Sequence, residues 1–205
     1  MNDTPHSPPQ APLLIVISGP SGVGKDSVLQ RMRERRLPFH FVVTATTRPQ
    51  RPDEEHGVDY WFVSREAFEG MIDRGELLEH AHVYNEYKGI PRAQVHDALA
   101  SGRDVVMRLD VQGAETIRGL SPEALLIFLT TRDEDELVER LRARRTESEE
   151  ALRLRLATAR QEYGRLPVFD YMVVNPDGQL DQAVDVIEAI IRAEHHRVKP
   201  RRVDL

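Results

Sequence analysis

The sequence predicts an α/β fold: a parallel core sheet wrapped by helices, with an inserted lobe and a helical lid. Three observations predict it. Short apolar runs alternate with stretches of helical period, a glycine-rich turn separates the first run from the first helix, and residues 39–87 break the alternation. A chain of 205 residues suffices for one such core with an insertion, and is too short for two ordinary domains. The expected organisation is a disordered leader over 1–12, one domain over 13–195 and a loose basic tail over 196–205. Within the domain the lobe takes about 39–90 and the lid about 137–150.

The leader carries Pro5, Pro8, Pro9 and Pro12 among small polar residues, a composition that neither pairs nor packs. Leu13 to Ser18 is a continuous apolar run, the pattern of a strand buried on both faces, and Val105 to Leu109, Leu125 to Leu129 and Tyr171 to Val174 read the same way. Helical period appears in Ser27 to Arg35, Ala93 to Ala100, Asp133 to Ala143 and Glu149 to Tyr163. In a last helix, Leu180, Ala183, Val184, Ile187, Ile190 and Ile191 form one apolar face for docking on the sheet. The insertion holds strand-like pieces at Phe39 to Val43 and Tyr60 to Val63, a turn-rich loop from Arg48 to Gly57, and a short helix from Arg65 to Arg74.

Composition excludes several functions. Without cysteine there is no disulfide, no thiolate chemistry and no cysteine-ligated metal, which suits a reducing cytoplasm. The longest apolar run falls far short of the roughly 20 residues of a membrane span. A net charge of −6 argues against broad adhesion to nucleic acid or anionic lipid, so any anion must be caught by a local basic cluster. Monomer and homodimer are equally compatible with the sequence.

The first candidate site follows the first strand: Gly19, Pro20, Ser21, Gly22, Val23, Gly24, Lys25, Asp26, Ser27. A G-x-x-x-x-G-K run between strand and helix wraps backbone N–H groups around phosphate oxygens, with the helix N-terminus adding positive potential. This is the signature of a P-loop NTPase fold binding ATP. Lys25 reaches the β- and γ-phosphates, its head expected in solvent or on phosphate. Asp26 stands where the motif usually has a hydroxyl that ligates Mg²⁺. A carboxylate is also a hard oxygen ligand for Mg²⁺; the alternative is a favourable acid in the first helical turn.

The segment Thr44 to Phe62, with Arg48, Arg51 and Tyr60 inside TTRPQRP…HGVDYWF, resembles the monophosphate-binding stretch of guanylate kinases. The resemblance continues through Glu79, Gly89-Ile90-Pro91-Arg92, Leu109-Asp110-Val111-Gln112-Gly113, Arg140 to Arg144, Arg155 and Val174-Asn175, nearly the whole chain after residue 12. It implies a GMP-binding lobe and transfer of the terminal phosphate of ATP to GMP, and to dGMP, with Mg²⁺. It assigns Arg48, Arg51 and Tyr60 to the GMP phosphate, Thr44, Glu79 and Asp110 to the guanine, and Glu54, Lys88 and Arg155 to the same nucleotide. Lys25, Arg48, Arg140 and Arg144 become the catalytic cations, and Asn175 approaches the adenine or the lid. Chemistry supports these roles: an arginine fork matches phosphate oxygens, and a carboxylate accepts from guanine's N1–H and N2–H₂, where adenine offers an acceptor at N1.

Four residues depart from the family pattern, one of them Arg145, which stands at the place of a usual glycine in the lid. Lys88 stands at a usual tyrosine, Ile90 replaces a hydroxyl donor, and Arg108 replaces an acidic residue two positions before Asp110. A cation at 108 facing the site repels Mg²⁺.

Overall fold

The structure is a computed structural model that describes residues 11–52, 54–83, 86–143 and 149–205. The leader, apart from residues 11 and 12, lies outside the described residues. So do Asp53, Arg144 and Arg145.

The core is a five-stranded sheet built from β1 (Leu14–Ser18), β2 (His40–Phe41), β7 (Val105–Arg108), β8 (Leu125–Thr130) and β9 (Tyr171–Val174), in the order β2-β7-β1-β8-β9. Every neighbouring pair in it is parallel. The central strands β1, β7 and β8 are apolar up to their last residues, Ser18, Arg108 and Thr130, because helices cover both faces. On one face Ile15 and Ile17 meet α1 (Lys25–Glu34), α5 (Glu134–Ala143), α6 (Glu149–Tyr163) and α7 (Leu180–His195), with Ala183, Val184, Ile187 and Ile191 as the buried stripe of α7. On the other, Leu14 and Val16 meet α3 (Arg92–Ala100) and α4 (Val111–Leu120).

The second sheet forms the lobe: β3 (Thr44–Thr46), β4 (Tyr60–Phe62), β5 (Leu77–Val83) and β6 (Glu86–Pro91), in the order β4-β3-β6-β5. Its own small core joins Ala45, Leu77 and Phe68, the last from α2 (Arg65–Asp73).

Three expectations change. The piece at Phe39 to Val43 belongs to the core sheet, not to the insertion: His40 and Phe41 pair with Val105 and Val106. Strand β9 is an edge strand, so Met172 and Val174 lie exposed and only Val173 is buried in the core. The basic tail is docked. Arg201 is buried, donating through Nε to Glu194 at 2.7 Å and lying 3.6 Å from Asp170. Burial alone raises a carboxyl, but donors from Arg201, Tyr171 and Arg197 outweigh it and hold Glu194 at about 2.

Candidate functional site

All core strands end on one side, and there the chain turns out into the residues singled out from sequence, as expected for an α/β sheet. After β1 the glycine-rich loop runs into α1 through Gly24, whose φ of 92° is left-handed. A side chain at Gly24 would stand 2.6 Å from Asn175 Nδ2, and one at Gly19 would stand 2.1 Å from the Leu129 carbonyl oxygen. The loop therefore needs glycine both for its torsions and for its close fit to the ends of β8 and β9.

Lys25 is not in open solvent. Its ammonium donates to the carbonyls of Gly19 and Pro20, and burial pushes its pKa down to about 8. The back of the loop is held from two sides. Asn175, buried at the end of β9, donates to Val23 O at 2.9 Å, and Arg140 reaches Val23 O at 3.3 Å and Asn175 O at 2.8 Å. Glu136, one turn earlier in α5, fixes Arg140 through a 2.5 Å bond. Arg155, expected on GMP, instead donates to Ser21 Oγ at 2.8 Å and so begins on the side of this loop.

Facing the loop lies a second cationic pocket, contributed by the lobe. Arg48 is buried, and its fork is bound by both oxygens of Glu54. Glu54 also accepts from the backbone N–H of Arg51, whose own side chain is exposed. The Arg48 guanidinium lies 4.6 Å from the Tyr60 ring centre, and Arg108 lies at the same distance from that ring. Burial raises the Tyr60 phenol, while Arg108 and Arg48 pull the other way. Lys88, half-buried on β6, has its pKa lowered by burial and then by Arg108. Ile90 points into the core against the α3 and α4 side, so its lost hydroxyl leaves no gap in this pocket.

A third cluster closes the inner end. Thr44 and Glu79 are both buried, on β3 and β5. Asp110 caps α4, accepting from Gly113 N at 2.8 Å. Burial, and then the negative charge of Asp110, push the Glu79 carboxyl up to about 8. The sequence reading missed Glu162 of α6, whose charge acts on Lys25; the Lys25 and Asp110 charges act on it in turn. Its helix position alone carried no signal.

Asp26 accepts a hydrogen bond from Arg108, which reaches across from the end of β7. Among the described residues, no group of three or more His, Cys, Asp or Glu is set for a metal ion. A Mg²⁺ that comes with ATP takes most of its ligands from phosphate and water and only one or two from protein. The more than half-exposed carboxylate of Asp26, with Ser27 beside it, fits that limited demand once Arg108, the cation that holds it here and would repel Mg²⁺, turns away.

The chain is similar to known proteins of one family. The guanylate kinase family model matches residues 12–194. "Guanylate kinase 2, chloroplastic/mitochondrial" of Oryza sativa is 52% identical over 98% of this chain and 71% of its own length. The guanylate kinase of Carboxydothermus hydrogenoformans is 40% identical, covering 94% of this chain and 92% of its own. The crystal structure of guanylate kinase from Anaplasma phagocytophilum superposes with a TM-score of 0.76 at 27% identity, over 92% of this chain and 89% of that one. With the family model covering residues 12–194 and relatives 40% and 52% identical over nearly the whole chain, the chain belongs to the guanylate kinase family.

Proposed function

We infer that the protein transfers the γ-phosphate of ATP to GMP, giving ADP and GDP, a step of purine nucleotide metabolism, and that it accepts dGMP as well. The observation that carries this reading is the pairing of two facing anion sites with a buried carboxyl, Glu79, beside the half-buried Asp110. ATP binds with its phosphates in the loop from Gly19 to Ser27. The GMP phosphate enters the pocket of Arg48, Arg51, Tyr60 and Lys88, and its guanine meets Thr44, Glu79 and Asp110. Glu54 keeps the Arg48 fork aimed until phosphate arrives.

Phosphoryl transfer has a loose transition state with charge spread over the equatorial oxygens, so catalysis is positioning and charge stabilisation. Lys25 leaves the carbonyls of Gly19 and Pro20 for phosphate oxygens. Arg48 holds the acceptor, and Arg140 reaches the phosphates from behind the loop. Arg144 lies outside the described residues and is proposed to join Arg140 from the same lid. Arg155 supports the loop through Ser21. Asp26 and Ser27 would hold a Mg²⁺ that accompanies ATP, which would supply positive charge to the β- and γ-phosphates. Closure of the lid excludes the water that would otherwise hydrolyse ATP.

No helix among the described residues is long and apolar enough to cross a membrane. The cysteine-free composition suits the cytoplasm, although the rice relative is named for chloroplast and mitochondrion.

An ADP-release assay with ATP against GMP, dGMP, AMP, CMP and UMP tests the reading. GMP and dGMP are expected to turn over, and the others to lag by up to roughly 10⁴ in kcat/KM, because a mismatched base edge leaves buried groups unpaired. Comparable turnover of AMP and GMP overturns it.

Gly113→Ala gives an independent check. A Cβ there stands 3.0 Å from Glu79 Oε1, so the Glu79 carboxyl must give way slightly, while Asp110 Oδ1 at 3.4 Å is in ordinary contact. Alanine favours the helix by roughly 0.8–1 kcal/mol over glycine, so the melting temperature should hold or rise. The kcat/KM for GMP should meanwhile fall about tenfold or more through misplacement of the base.

A further inference from the structure

Arg108 carries a charge that the reading above does not use. It ends β7, with Ile17 of β1 as its partner across the strands, so the sheet delivers it beside the phosphate loop. It follows Met107, which packs on the α3 and α4 side, and therefore turns to the opposite face with Val106, the α1 side. There its guanidinium meets Asp26 in the first turn of α1 and lies over Tyr60 of the lobe. One side chain thus touches both halves of the site, across 82 residues of sequence to Asp26.

The surroundings are crowded with positive charge. Arg48 lies over the same ring, and Arg108 acts electrostatically on Lys25, Arg33 and Lys88, each with its pKa lowered first by burial. Like charges gathered in a half-buried pocket oppose one another, and an arriving phosphate dianion relieves that opposition.

We propose that Arg108 is a phosphate-binding residue of the acceptor site: its fork joins Arg48 on the GMP phosphate across the Tyr60 ring, and Asp26 is the counter-ion that holds it between the two nucleotides until GMP arrives. The proposal rests on the acceptor pocket argued above. It accounts for two of the departures, Ile90 and Arg108, since Arg108 supplies charged donors to a pocket in which Ile90 is turned into the core. It also gives Asp26 two successive partners, first Arg108 and then the metal that accompanies ATP.

Calorimetry of GMP and guanosine binding in EDTA, without ATP, tests the proposal free of metal and turnover. Guanosine shares the base and ribose and lacks the phosphate. Arg108→Gln is expected to weaken GMP by roughly 10- to 100-fold, the range for a hydrogen bond to a charged group, with guanosine affinity held within about twofold. Asp26→Asn is expected not to weaken GMP under the same conditions, because the released arginine still faces the phosphate. Equal loss of GMP and guanosine in Arg108→Gln, or no loss of GMP, overturns the proposal and leaves Arg108 as a strut for α1. If Arg108→Gln melts below assay temperature, Arg108→Lys carries the test. It keeps a cation beside Asp26 but loses the fork, and a GMP loss of about threefold or more with guanosine unchanged supports the proposal, while none overturns it. A wild-type protein that binds guanosine and GMP equally refutes the acceptor-phosphate pocket itself, a failure distinct from that of Arg108 alone.

Discussion

Lys25→Ala is expected to lower kcat by roughly 10² to 10³ or more, the loss seen when one preorganised charge or donor on the developing transition state is removed. The lysine head already sits in the loop, bound to the carbonyls of Gly19 and Pro20 at a cost in desolvation that depresses its pKa to about 8. That cost is recovered only when phosphate oxygens surround the ammonium, and most fully when the γ-phosphoryl is in flight. The loss should therefore fall on kcat more than on the KM for ATP. Removing a desolvated charge leaves the loop glycines and the Asn175–Val23 bond in place, so thermal stability should change by no more than about 1 kcal/mol. Steady-state kinetics beside thermal melts check both halves, and a variant retaining more than about a tenth of wild-type activity shows that the loop is set otherwise.

The strands β1, β7 and β8 were legible in the sequence because burial on both faces writes itself as a short apolar run, broken in β7 only by Arg108, and the turn that follows Leu14 to Ser18 settles that run as a strand. The phosphate loop was legible because its glycines answer to backbone torsion, a local demand. What stayed hidden depends on partners far along the chain. The hairpin of β5 and β6 carries Glu79, His80, His82 and Lys88, polar residues that spoil a strand's pattern, and it is held by pairing with β3. Helix α4 contains Gly113 and Gly119, weak helix formers, and starts from the Asp110 cap. The tail looked loose because its arginines are polar in sequence, whereas Arg201 folds back onto Glu194 and Asp170. In the site, residue types were legible and their pairings were not: Arg48 with Glu54, Arg155 with Ser21 and Arg108 with Asp26 are all matters of tertiary placement.

The base-binding end makes the second large prediction, through proton linkage. With its pKa raised from 4.5 to about 8 by burial and by Asp110, Glu79 is mostly protonated in the empty site at pH 7. A protonated carboxyl offers one donor and one acceptor, whereas guanine's N1–H and N2–H₂ call for two acceptors. Guanine must therefore bind the ionised form. The sign follows: well below the raised pKa each unit of falling pH removes about tenfold of the competent species, so affinity should rise roughly 50-fold from pH 6 to 8 and level about a unit above the pKa. Guanosine is the ligand to use, because it brings no titrating phosphate. Binding at pH 7 should also release nearly one proton, measurable by calorimetry in buffers of different ionisation enthalpy. Glu79→Gln freezes the donor–acceptor pattern of the protonated state. Its guanosine affinity should match or fall below that of the wild type at pH 6, stay flat with pH, and release no proton. With the mismatch now built in, its preference for GMP over AMP should collapse by a factor of roughly 10² or more. A wild-type affinity that does not change between pH 6 and 8, with Glu79→Gln binding guanosine as tightly as the wild type, places Glu79 away from the base and removes the ground for guanine selection by this carboxylate.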